Sequence, residues 1–320
     1  MKNILSKLLK HWPKVIKYVL GPLLLVILFW TIGIVKIWKL LSATDLKFFV
    51  LAYLFFIISI LIAVMNLYVL FYPLQRIDPR KFLQYFFASR ITSLIFPGRL
   101  GEFSLSYYLR GENINLGRGM AAVVTDKLIT VTISMILGII AVSLFMKGQH
   151  ITAFVLYIFL MLMFFVLLLS SRSREFIKKW ILRKYARHFT GFSKTLFSYE
   201  QEHKDMVLLN IVFTIVRIVF LALSAKMIFL ALETEISLMT LIFVSGLELL
   251  SNSIPLTVNG LGIKQAIGVY VFTAIGVSPV ITGSRYVLGF LIEYSFGFFS
   301  TLFIKDDLFA EKTEIHQNNI

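Results

Sequence analysis

Phe96-Pro97-Gly98-Arg99-Leu100-Gly101-Glu102 and Ile254-Pro255-Leu256-Thr257-Val258-Asn259-Gly260-Leu261-Gly262-Ile263-Lys264-Gln265 decide how this chain is read. Each sets proline, glycine and charge inside strongly apolar sequence, where a helix surrounded by lipid tolerates none of them. The two stretches also occupy corresponding places in the two halves of the chain. That pattern predicts a pair of broken membrane segments around a polar site, the plan of a transporter rather than of a soluble enzyme.

The surrounding composition agrees. Of 320 residues, 58% are hydrophobic and only 15% charged, and mean hydropathy is +0.84. Apolar stretches of bilayer-spanning length recur from end to end, which makes the chain a polytopic membrane protein. Lys2, Lys7, Lys10, Lys14 and Lys17 precede the first apolar segment. That segment is too long for a signal-peptide core and is not followed by a small-residue cleavage site, so it reads as a retained span. The formal charge of +15 gathers in the flanks and one loop. This is the signature of cytoplasmic loops facing anionic lipid, not of nucleic-acid binding. With no cysteine, disulfides, thiolate metal sites and thiol nucleophiles are excluded.

Candidate full spans are 19–41, 48–72, 120–146, 151–170, 206–232 and 280–304. The basic clusters at Arg76, Arg80 and Lys81, at Arg110 and Arg118, and from Arg172 to Lys194 fall on one side with the N-terminus, while Glu233 and Glu235 mark the other. The count holds only if residues 82–109 enter and leave on the same side. About seven residues, 103–109, follow the first break, far short of the ~20 needed to cross. A re-entrant hairpin with its tip at 97–102 is therefore expected, and a second over 237–274 with its tip at 257–262.

The fold class that follows is an all-α polytopic membrane protein with about six full spans plus two re-entrant helical hairpins. The hairpins are arranged as an inverted repeat over about 19–146 and 151–304, with both termini cytoplasmic; eight spans is the alternative. The loop 172–205 interleaves Phe176, Trp180, Ile181, Tyr185 and Phe189 with charge, which suits either a helix lying on the inner leaflet or a solvated basic linker.

The tips also carry the candidate site. Each should lead into a short helix whose first amides, near 101–104 and 262–265, have no intrahelical acceptor and face anions. Gly98, Gly101, Gly260 and Gly262 would let a head group approach the backbone. Arg99 and Lys264 add full positive charge, and Glu102 and Asn259 sit beside them. The expectation is that the tips meet and hold a lipid phosphate. The bland alternative is that they are packing breaks whose charges pair with one another.

Other charges at depth need partners, because an ion at the bilayer centre costs several kcal/mol. These are Arg90, Asp126, Lys127, Arg217, Glu248 and Glu293. Glu102 is expected to pair with an arginine, and Glu248 and Glu293 to be held in structural pairs or to carry protons. Asp126 and Lys127 point about 100° apart on a helix and should pair with other segments. Lys226 and Arg285, near span ends, are expected to snorkel.

At these motifs the chain resembles the transmembrane-region family of lysylphosphatidylglycerol synthases, the flippase-like domain. The matching residues are Pro97 to Glu102 with Tyr107 and Leu109, then Asp126-Lys127, Pro255, Gly260-Leu261-Gly262, Gly276-Val277 and Arg285. Three positions depart from the family pattern. Leu105 stands where arginine is frequent, Asn259 replaces a glycine, and Lys264-Gln265 replaces Arg-Glu, which removes a carboxylate from any proton-coupling role there. The resemblance implies lipid translocation without naming the lipid. No soluble aminoacyltransferase domain is expected beside the spans, so lysyl-lipid synthesis is not expected of this chain.

The expected function is flippase-like movement of a phospholipid, aminoacylated or not, or of a polyprenyl-phosphate-linked lipid, either downhill or coupled to a gradient. The expected partners are anionic or phosphate-bearing membrane lipids and components of envelope synthesis, in a cell (inner or plasma) membrane. No cofactor, metal or nucleic acid is expected. The alternative is a membrane-embedded enzyme or accessory subunit of lipid-linked glycan or cell-envelope synthesis. Against it, the five histidines all fall in loops or tails, and the sequence holds no zinc-protease motif, nucleophile elbow or Walker loop.

Overall fold

Asp45, Asp78 and Ser278 each stop the chain before an apolar run and cap the helix that follows. Asp45 accepts from the Lys47 amide, Asp78 from those of Arg80 and Lys81, and Ser278 from that of Val280. Pro79 and Pro279 occupy first-turn positions, where a missing N–H costs nothing. A computed structural model describes residues 21–96, 100–145, 190–253 and 257–304, and within them the regular elements are all helices. In order the helices are α1 (Gly21–Ile32), α2 (Ile34–Ser42), α3 (Leu46–Phe71), α4 (Pro79–Ile95), α5 (Ser104–Tyr108), α6 (Leu116–Phe145), α7 (Phe192–Gln201), α8 (Lys204–Ala231), α9 (Leu238–Ser253), α10 (Ile263–Ala274) and α11 (Pro279–Thr301). Two 3-10 turns, Leu100–Phe103 and Leu109–Glu112, flank α5.

Among the described residues α3, α6 and α8 are long and apolar enough to cross a membrane, and the α1–α2 pair joins them if taken as one bent span. The expected span 19–41 is therefore corrected. It breaks at Gly33, whose φ of 103° only glycine adopts readily, and the two pieces meet at 82°. α11 has the length, 23 residues, but Arg285, Glu293 and several small polar residues along its buried face lower its hydropathy. The expected span 151–170 lies outside the described residues, as do the aromatic positions of the basic loop. Only the end of that loop, α7, is described. The buried Tyr199 hydroxyl ties α7 down by donating to the Leu70 carbonyl at the end of α3, and burial pushes its pKa well above the usual phenol value.

Small residues let the long helices approach. Among the described residues α3 and α8 form the most extensive packing, with Ala52, Ser59 and Ala63 buried on one helix, Ala222, Ser224 and Ala225 on the other, and Ser224 donating to the Ala52 carbonyl at 2.8 Å. Gly246 of α9 seats against α6, where a Cβ would fall 2.5 Å from that of Leu137.

Around this frame each expected hairpin region pairs a helix with the helical segment that follows it. α4 packs against the Leu100–Phe103 turn and α5, and α9 packs against α10. In the first hairpin the chain returns so closely that a Cβ on Gly101 would fall on the Ser93 amide nitrogen, 2.5 Å from the Ser93 Cα. In the second, Gly260 (φ 68°) lies against Asn252, and Gly262 (φ 83°) against Leu24 of α1. These glycines exist for backbone-to-backbone contact.

Gly101→Ala should therefore destabilise by about 2 kcal/mol or more, because neither backbone can yield. Gly289→Ala, whose Cβ meets nothing within 4 Å, should leave the melting temperature of the detergent-solubilised protein unchanged. Equal melting of the two variants would contradict the close hairpin return.

Candidate functional site: a charged cavity between the hairpins

Nine ionisable side chains that a single sequence scatters over some 200 positions line one cavity of about 480 Å³. They are Arg90, Glu102, Asp126, Lys127, Arg217, Glu248, Lys264, Arg285 and Glu293. α4 and the turn before α5 supply the first two, α6 the next two and α8 Arg217. α9, α10 and α11 supply the rest. Apolar rings and branched chains, among them Phe56, Phe86, Phe103 and Phe290, fill the wall between them.

The charges are organised in three groups. In the first, Lys127 bridges to Glu102, and its ammonium also lies 3.7 Å from Asp126. Asp126 is fully buried, and its Oδ1 accepts from Asn66 Nδ2 at 2.9 Å and Asn210 Nδ2 at 3.2 Å. Asn66 Nδ2 also donates to Thr214, and Asn210 Nδ2 to the Asn66 carbonyl, so one polar knot joins α3, α6 and α8. Glu102 was expected to pair with an arginine; Lys127 of α6 is a cation that it meets.

In the second group Arg285 grips Glu248 through two bonds of 2.7 and 3.1 Å, and the Tyr286 hydroxyl donates to the same carboxylate at 2.7 Å. The guanidinium also lies over the rings of Phe229, Phe272 and Tyr286. The expectation that Arg285 snorkels to the surface is thus overturned. It is 8% exposed, and three helices close over it. Gly268 makes room for this group, since a Cβ there would collide with the Tyr286 hydroxyl. In the third group Arg90 and Glu293 approach to 3.8 Å, with Asn259 Nδ2 donating to Glu293 at 3.3 Å.

The hairpin tips look different from the sequence expectation. Glu102 and Lys264 reach the cavity, whereas Gly101, Asn259, Gly260 and Gly262 do not line it. Gly98 and Arg99 lie outside the described residues. The amide of Gly262, read as an open anion donor, is occupied by Gln265 Oε1 at 2.7 Å, and α5 is only five residues long. The polar side chains that line the cavity are thus a feature additional to the tip amides. Asn66, Thr130, Asn210 and Tyr286 were not singled out from sequence. Lone asparagines between apolar neighbours, Met65-Asn66-Leu67 and Leu209-Asn210-Ile211, were the available signal for two of them.

With this geometry in view, comparison with known proteins becomes informative. The family described as lysylphosphatidylglycerol synthase TM region matches residues 14–300. The chain belongs to this family. No curated protein and no solved structure matches it. Membership of the lysylphosphatidylglycerol synthase TM region makes this a membrane protein tied to lipid or envelope biosynthesis, and the charged cavity is the feature of its fold able to hold a polar group away from lipid.

The Glu248–Arg285 pair gives a direct test of how that cavity is held together. Glu248→Ala should cost about 3–5 kcal/mol, since it strands a buried guanidinium, and Glu248→Met combined with Arg285→Met should cost clearly less. Thermal melts in detergent decide this, and a double variant less stable than either single one would contradict it.

Proposed function

We propose that this protein is a flippase-like lipid transporter that carries a phospholipid head group, aminoacylated or not, or a polyprenyl-linked phosphate, between the leaflets through the charged cavity. The observation that carries the reading is the convergence of ionisable side chains from both hairpins on one internal space in a lipid-associated family. A head group crossing hydrocarbon needs its water replaced by fixed charges and dipoles. Tail-compatible walls such as Phe56, Phe86 and Phe290 allow the chains to remain in lipid.

The topology that suits this activity is the inverted repeat of about six spans and two re-entrant hairpins, with both termini in the cytoplasm and the protein in the plasma or inner membrane. Helix lengths support the re-entrant reading. α4, α9 and α10 have 17, 16 and 12 residues. At 1.5 Å per residue each falls short of a ~30 Å hydrocarbon core. Carriers that work by alternating access build their sites from such broken helices at the interface of two repeats.

The test is translocation of head-group-labelled lipids in proteoliposomes, with and without an imposed pH gradient. Wild type should move at least one lipid class faster than protein-free vesicles, and Lys127→Gln and Glu102→Gln should bring the rate back toward that background. A lipid recovered with altered mass would favour the enzymatic alternative, and no acceleration for any class would reject the transport reading.

A further inference from the structure

The distribution of partners in the cavity separates lipid classes by charge. All four carboxylates are engaged: Glu102 by Lys127, Asp126 by Asn66 and Asn210, Glu248 by Arg285 and Tyr286, and Glu293 by Arg90 and Asn259. Arg217 differs. Its Nη2 donates to the neutral hydroxyl of Thr130 at 3.0 Å, and its Nε is buried with no partner. Among the described residues no carboxylate lies within ion-pair distance of it. With five cationic against four acidic side chains among the described residues, the described lining carries one formal positive charge in excess.

The geometry points to a cavity that selects a monoanionic phosphodiester head group, with Arg217 and Thr130 as its phosphate subsite, over lysyl-esterified head groups. This deepens the transport reading above and rests on it only for the word transport. A phosphate entering beside Arg217 meets an unsatisfied N–H and cancels the excess charge, while every existing pair stays intact. Guanidinium-to-phosphate bonds are the strong, charge-assisted kind. A lysyl ester carries two ammonium groups against one phosphate, so its head group is cationic. It would add to the excess charge, and its ammonium groups would have to break one of the existing pairs to find a carboxylate. The name of the family thus does not name the cargo of this chain.

Two readouts keep this separable from the transport claim. Lipid retention by the purified protein would be measured by native mass spectrometry with phosphatidylglycerol, its lysyl ester and phosphatidylethanolamine in equal amounts. Translocation of the same three lipids would be measured in proteoliposomes. Wild type should retain phosphatidylglycerol roughly tenfold or more over the lysyl ester. Arg217→Gln should abolish that preference and Arg217→Lys should restore part of it; Thr130→Val, which removes only the hydroxyl, should weaken it without reversing it.

Selective binding through Arg217 without transport would sustain the inference and reject the transport reading. Faster movement or tighter retention of the lysyl ester would overturn the inference and leave transport standing. A preference for phosphatidylglycerol that survives in a folded Arg217→Gln protein would also overturn it.

Discussion

A charge in the hydrocarbon layer must bring its counter-charge with it, and the arrangement of this molecule follows from that requirement. Desolvating a single ion costs several kcal/mol, a cost that only close, well-directed partners offset. Lys127–Glu102 joins α6 to the first hairpin, Arg285–Glu248 joins α11 to α9, and Arg90–Glu293 joins α4 to α11. The inner ends of the helices present these charges to one another instead of to lipid. Close approach at Gly101 and Gly260 then becomes a geometric condition of the pairing, since bulkier residues would hold the arms too far apart for the side chains to meet.

Much of this plan was legible in the sequence, because proline, glycine and charge in apolar surroundings have few physical explanations. The all-helical membrane class and the long helices α3, α6 and α8 were readable from the same apolar patterning. The Gly33 bend was not, because isoleucines on either side keep the local hydropathy high and hide a backbone conformation that no hydropathy window registers. Pairing choices were also hidden. A sequence shows that Glu102 needs a cation, but only the packing of the first hairpin on α6 shows that Lys127 comes within reach.

The site itself was half legible for a related reason. The list of charged residues at depth was sound, since composition alone marks them as costly. One donor was assigned differently, because the Gly262 amide was taken to be open. Gln265, where the family pattern has Glu, turns its carbonyl onto that amide and closes it. Arg285 was placed near a surface by counting along its own helix, but α9 and α10 wall it in from the side, a fact of three dimensions that one-dimensional depth does not contain.

The Arg285 guanidinium touches Glu248 of α9, Phe229 of α8, Phe272 of α10 and Tyr286 of its own helix. Mechanically it acts as a rivet through four helices, so these helices travel as one block. The first hairpin has its own fastening to α6 through Lys127. Between α4 and α11 runs a further ion pair, Arg90–Glu293 at 3.8 Å. The internal space is thus walled by helices fastened to one another through opposite charges, so the loss of one partner loosens more than one wall.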